Sequence, residues 1–176
     1  LFLVFPGQGS QHSFMLSKND LLSYAESSSN KIALDCLSEL ISEDALSLIE
    51  SDDDRINQTS ITQPILLFVS YLHYLKLMEV HPNIVIDSMS GHSLGEYTAL
   101  VCASALDICD ALKLVRSRGK LMEKAENGSM SAILGMDTQE VINICKNISN
   151  QSAGVVNAAN LNSPLQTVIS GNTVEI

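Results

Sequence analysis

Gly91-His92-Ser93-Leu94-Gly95 is a G-x-S-x-G pentapeptide. The apolar run 84–89 before it reads as a strand, and the spacing over 94–103 after it reads as a helix. A strand that turns sharply into a helix forces the central serine into a strained backbone conformation. The flanking glycines let the strand and helix approach closely. Ser93 Oγ then stands at a helix N-terminus, where the dipole and the free N–H of Leu94 can stabilise a developing oxyanion. This is the arrangement of a serine nucleophile, and it makes the chain an α/β protein built around a strand–turn–helix unit.

An oxyanion hole needs a second donor, supplied in α/β-hydrolase-like sites by a loop after another strand. Residues 1–5 form such a strand, and Pro6-Gly7-Gln8-Gly9-Ser10-Gln11 follows it with enough glycine for close backbone approach. Segments 31–41 and 45–49 have helical spacing. Gln63-Pro64 and the apolar stretch to residue 80 predict a central helix with proline in its first turn. A further helix is expected over 107–125, with Asp107 as N-cap. After Asn127-Gly128 the period changes. A strand at 130–134, a helix at 138–148 and strands at 155–158 and 166–170 give β-α-β-β, two-thirds of a ferredoxin-like unit.

Composition narrows the partners. The chain has 176 residues, 45% apolar and 17% charged, enough to bury a core. With 10 basic against 20 acidic residues the net charge is -10, which argues against nucleic acid and anionic membrane surfaces. Ten acids and one base lie between Asp20 and Asp54, read as a solvated helical surface. No apolar run reaches membrane-spanning length. Cys36, Cys102, Cys109 and Cys145 show neither zinc spacing nor a Cys-x-x-Cys pair. They read as small apolar residues in a reducing cytosol, and no metal site is expected. Both ends look abrupt, so a piece of a longer protein is expected.

The 107–125 helix carries the sharpest clue. At about 100° per residue, Ala111, Leu114, Val115, Leu121, Met122 and Ala125 fall within roughly 60° of Arg118. Lys113, Arg116, Lys120, Glu123 and Lys124 fall on the opposite, solvated side. Arg118 thus reads as the lone charge on an apolar face. A guanidinium cannot lose its proton, and an unpaired buried charge costs several kcal/mol. Its anion is either a protein carboxylate such as Glu96 or Asp87, or a substrate carboxylate taken by the planar fork.

Four ordered motifs now resemble a known family: Phe5-Pro6-Gly7-Gln8-Gly9-Ser10-Gln11, Thr62-Gln63-Pro64, Gly91-His92-Ser93-Leu94-Gly95-Glu96-Tyr97, and Arg118-Gly119-Lys120 with Met122. They are similar to malonyl-CoA:acyl carrier protein transacylases of fatty-acid synthesis and to the acyltransferase domains of polyketide synthases. Asn160-Leu161-Asn162-Ser163-Pro164 and Val168-Ile169-Ser170-Gly171 resemble the small subdomain of that family. The resemblance implies an α/β-hydrolase-like core with an inserted ferredoxin-like small subdomain, both incomplete here, divided as 1–127 and 128–176. It implies that Ser93 carries the acyl group as an ester, that Gln11 and Leu94 supply the oxyanion donors, and that Arg118 pairs with the malonyl carboxylate. Gln63 matches a glutamine near the active site. Leu94 is similar to malonyl-selective members. The implied reaction is ping-pong transfer from malonyl-CoA to acyl carrier protein in the cytoplasm, without cofactor or metal. Acyl carrier protein is acidic, so Lys113, Arg116 and Lys120 form a candidate docking patch.

The resemblance also implies a histidine base farther along than this chain reaches. His12, His73 and His81 read as surface or packing residues, and His92 as pointing away on its turn. Leu165 stands where many members have a small residue. Without the base, Ser93 is expected to be a poor nucleophile, with an exposed sheet edge where further strands belong. Two other readings share the elbow: a serine esterase or thioesterase, for which Arg118 has no use, and an inactive truncated product.

Overall fold

The computed structural model describes residues 1–124 and 128–176. They form two compact units, Leu1–Lys124 and Ala125–Ile176. The first unit runs β1 (Phe2–Phe5), α1 (Leu22–Ala25), α2 (Lys31–Ile41), α3 (Ala45–Ile49), α4 (Thr59–Val80), β2 (Ser88–Gly91), α5 (Leu94–Cys102) and α6 (Ile108–Glu123). The second contains β3 (Gly128–Leu134), α7 (Thr138–Gln151), β4 (Val156–Ser163) and β5 (Gln166–Asn172). The architecture is mixed α/β.

In the first unit α4 is the organising element. From Ser60 to Val69 every residue is buried, so this half of the helix is surrounded on all sides. It packs against α2, α5 and α6. The amphipathic α2 contributes Ala33, Leu34, Leu37 and Ile41 to the same core, the spacing of one helical face. It ends at Ser42, whose φ of 63° breaks the helix.

β1 and β2 pair in parallel, with Phe2 opposite Ser88 and Phe5 opposite Gly91. β1 turns Phe5 into a cluster with Ala99 and Cys102 of α5. Parallel pairing puts the carboxyl ends of both strands at one edge, the place where open α/β sheets present their ligand sites. In the second unit the strands are antiparallel in the order β3-β5-β4. Val141 and Cys145 of α7 pack on Val156 and Ile169.

Three elements differ from the sequence reading. The strand expected over 84–89 is β2 at Ser88–Gly91, because it extends only as far as the four residues of β1 that it pairs with. α4 begins at Thr59, so Pro64 is its sixth residue, inside the helix instead of in its first turn. α1 carried no periodic signal in its four residues. Asp107 is the N-cap of α6 as expected, accepting from the N–H groups of Cys109 and Asp110. Ala125 and Asn127, assigned to a helix end and a turn, lie outside the described residues.

The cysteine reading is corrected for one pair. Cys36 of α2 and Cys109 of α6 form a disulfide with their Cα atoms 5.9 Å apart. They lie 73 residues apart in sequence, so no local spacing could announce a contact that only helix packing creates. Closing a loop of this length contributes about 2–4 kcal/mol where the bond is oxidised. Cys102 and Cys145 are buried free thiols. Burial pushes the Cys102 thiol up to about 12. In denaturant without reductant, thiol titration is expected to find two reactive groups, and with reductant all four. In the native protein at about pH 8, Cys102 stays unlabelled, because the thiol and not the thiolate is present.

Candidate active site

The site lies at the carboxyl edge of β1 and β2. The chain leaves β1 into Pro6-Gly7-Gln8-Gly9 and leaves β2 into the Ser93 turn, and His92 N donates to Phe5 O at 3.1 Å. Ser93 has φ 55° and ψ -102°, a conformation that an L-residue holds only under constraint. The constraint is local. Gly95 N donates to His92 O at 2.9 Å and Glu96 N to Ser93 O at 3.3 Å. A methyl group on Gly91 would strike the backbone of Gly95, and one on Gly95 would strike the carbonyl of Phe5. Strand, loop and helix therefore touch through bare backbone.

Leu94 is the first residue of α5, so its N–H has no intrahelical acceptor and lies directly after the serine. Gln11 is fixed by its own side chain: Oε1 accepts from Gly9 N at 2.8 Å and Nε2 donates to Asn57 Oδ1 at 3.1 Å. Its backbone N–H has no partner among the described residues. The loop is further tied to the start of α4, where Gln8 Nε2 donates to Thr59 Oγ1 at 3.2 Å.

Arg118 joins three helices. Its Nη1 donates to Gln63 Oε1 of α4 at 2.8 Å, and its Nη2 donates to Ser93 Oγ at the head of α5, also at 2.8 Å. Its Cζ lies 6.0 Å from the Tyr97 ring, within reach of a cation–π attraction. Gln63 is fully buried, and its Nε2 is 3.3 Å from Met122 Sδ. Neither suggested carboxylate reaches the guanidinium. Glu96 is exposed, and Asp87 pairs with the Leu1 amine. Arg118 has no ion-pair partner among the described residues. The structure therefore brings Ser93, Gln63 and Arg118 into one hydrogen-bonded chain.

The helical wheel of α6 is corrected in two respects. The buried residues are Ala111, Leu112, Val115 and Gly119, an arc centred roughly 75° from Arg118. Leu114, Leu121 and Met122 are about half exposed or more. Arg118 thus sits on one rim of the buried stripe, half-buried. On the other rim, Arg116 is not a solvated base. Its Nη1 donates to the carbonyl and hydroxyl of Ser60, and Glu123 accepts from Ser60 N. Of the basic trio read as a docking patch, only Lys113 and Lys120 remain exposed.

No histidine nitrogen bonds Ser93 Oγ among the described residues. His12 Nδ1 faces Ser13 O at 3.1 Å and His73 Nδ1 faces Val69 O at 2.9 Å. Among these residues no group of three His, Cys, Asp or Glu side chains is placed to hold a metal ion. Sequence reasoning missed the parts played by Tyr97, Ser60 and Glu123. Only Tyr97 had a signal, four residues after the serine and so on the same helical face.

The strained serine thus stands beside an arginine with no carboxylate partner among the described residues, and the acyl transferase domain matches residues 2–176. The chain belongs to the acyl transferase domain family. It is 42% identical to the malonyl CoA-acyl carrier protein transacylase of Haemophilus influenzae over 176 residues, 96% of this chain and 54% of that one. Identity to the Staphylococcus aureus protein of the same name is 36%, over 97% of this chain and 54% of the relative. The solved malonyl CoA-acyl carrier protein transacylase of Coxiella burnetii superposes with a TM-score of 0.82 at 39% identity, over 99% of this chain and 54% of that one. A malonyl-transacylase solved in complex with a type II PKS acyl-carrier protein gives 0.82 at 34% identity, over 99% and 55%. The chain spans about half the length of the curated relatives it matches.

The packing of this acyl transferase elbow makes a stability prediction. Gly95→Ala drives a methyl group into rigid backbone and is expected to cost about 3 kcal/mol or more. Gly9→Ala meets no atom within 4 Å but sits at φ 109°, and is expected to cost about 1 kcal/mol. Urea unfolding of the two variants measures the difference.

Proposed function

We propose that the protein containing this chain transfers a malonyl group from malonyl-CoA to the phosphopantetheine thiol of acyl carrier protein, in fatty-acid biosynthesis. The observation that carries the reading is Arg118: a permanent cation with no described carboxylate partner, held by an amide at one nitrogen and 2.8 Å from the nucleophile at the other. A site for neutral esters has no use for such a group. A malonyl thioester has a carboxylate two bonds from its reacting carbonyl, so a cation beside the nucleophile suits it.

Ser93 Oγ attacks the thioester carbonyl and passes its proton to a general base from the part of the protein beyond the described residues. The oxyanion is held by the N–H groups of Leu94 and Gln11. CoA leaves as the thiol, and the malonyl group remains as an ester of Ser93. The carrier thiol attacks that ester and Ser93 recovers its proton. Before loading, Arg118 donates to Ser93 Oγ, so the serine proton is free to point elsewhere. On loading, the malonyl carboxylate takes over the guanidinium, and Gln63 keeps the fork in plane. No cofactor enters these steps.

For the fold, the reading is an α/β-hydrolase-like core within 1–127 and a ferredoxin-like subdomain within 128–176. The strand order β3-β5-β4 supports the second assignment, since it leaves a place beside β3 for a fourth strand. We assign the protein to the cytoplasm on the substrate class. No described helix is long and apolar enough to cross a membrane.

In the full-length protein, Arg118→Ala is expected to lose about 2–5 kcal/mol of malonyl transition-state binding, factors of roughly 30 to several thousand in kcat/KM. Uncharged acetyl-CoA should lose far less. An unchanged malonyl-over-acetyl preference sinks the clamp and leaves the serine-hydrolase reading. Intact mass after incubation with malonyl-CoA should show one malonyl adduct, absent in Ser93→Ala. The 176-residue chain alone, in which no described histidine bonds Ser93 Oγ, is expected to turn over at least about 10³-fold more slowly than the full protein.

A further inference from the structure

Pro64 lies inside α4 and has no N–H, so the carbonyl of Ser60, four residues earlier, has no helical donor. Ser60 is 6% exposed, which leaves that carbonyl out of easy reach of water. The N–H of Ser60 is also free, because it is the second residue of the helix. Both groups are satisfied from α6. Arg116 Nη1 donates to Ser60 O at 2.6 Å and to Ser60 Oγ at 3.0 Å. Glu123 Oε1 accepts from Ser60 N at 2.7 Å.

These two side chains are seven residues apart, on one face of α6, with Gly119 between them. A Cβ at Gly119 would lie 2.5 Å from Ser60 Cα and 2.8 Å from Thr59 O. The α6 backbone therefore rests directly on the first turn of α4, clasped on both sides of the contact. One turn along, at Gln63, the same two helices make the contact with Arg118. Arg116 is held there at a cost, since its Nε is buried with no partner among the described residues.

We propose that Arg116 and Glu123 are positioning residues for acyl-group selection. By binding the carbonyl that Pro64 orphans and the adjacent N–H, they fix the register of α6 on α4 and so hold Gln63 against Arg118. The proposal rests on the reading of Arg118 as the malonyl clamp.

The test is steady-state kinetics of the full-length protein with malonyl-CoA and acetyl-CoA. Arg116→Met keeps the apolar stem and removes the donors. It is expected to lower the malonyl-over-acetyl ratio of kcat/KM about tenfold, mainly through the KM for malonyl-CoA. Arg116→Lys, which still offers a donor to the Ser60 carbonyl, should keep most of the ratio. Pro64→Ala in the Arg116→Met background supplies the missing N–H at residue 64 and should restore it. A merely structural residue would depress both substrates alike, and an unchanged ratio in a folded Arg116→Met overturns the proposal. Should Arg116→Met not fold, Glu123→Ala cuts the other bond to Ser60 and must lower the ratio, or the proposal fails. Arg118→Ala run alongside separates the two levels. If it abolishes the preference while Arg116→Met does not touch it, the positioning proposal alone is wrong. If Arg118→Ala leaves the preference intact, the clamp reading fails and takes this proposal with it.

Discussion

The guanidinium of Arg118 cannot be neutralised, and among the described residues it meets an amide and a hydroxyl instead of a carboxylate. Each neighbour serves that placement. α4 brings a fully buried glutamine whose oxygen takes one nitrogen. The N-cap of α5 is the serine that takes the other. The Tyr97 ring, one turn into α5, lies beside the cation. Among the described residues only neutral acceptors meet this half-buried arginine, and a cation that no fixed anion faces keeps most of its positive potential available. In the proposed function that potential is what the substrate carboxylate meets.

Two kinds of strain support this arrangement. The elbow holds Ser93 at positive φ, and the close backbone contacts of Gly91 and Gly95 keep it there. The α4 helix carries a proline in its interior, which removes one hydrogen bond from the segment on which Gln63 stands. Both are departures from the locally preferred conformation, of the sort found where a structure serves a site. In both the compensation comes from a different element: β1 for the elbow, and α6 for the proline.

The legible part of the sequence was the part whose cause is local. A strand, two glycines and a helix specify the elbow within about twenty residues, and Asp107 announces its helix by one short side chain. The small unit was legible for the same reason, since its period changes between residues 130 and 170. Arg118 was picked out by its position on the wheel, yet its surroundings were not legible. A wheel assumes that the apolar residues face the core, and α6 instead buries Leu112 and Gly119 while leaving Leu114 and Leu121 about half exposed or more. Arg116 was misread for the same reason. The demand it answers is set by Pro64, which lies fifty-two residues earlier and on another helix. The Cys36–Cys109 pair likewise depends on how α2 meets α6.

In the proposed reaction the same guanidinium that recognises the malonyl carboxylate also occupies the serine oxygen at rest. The two roles compete for one nitrogen, Nη2. A carboxylate offers the guanidinium two parallel N–H···O bonds and an opposite charge, neither of which a neutral hydroxyl can give. Such a substrate can draw the fork away from Ser93, while an uncharged acyl group has nothing to offer in exchange. Discrimination then acts on the state of the nucleophile as well as on binding. This coupling requires Arg118 to be held between two positions by a partner that does not move, which is the part that fully buried Gln63 fills and the reason the α4–α6 register matters.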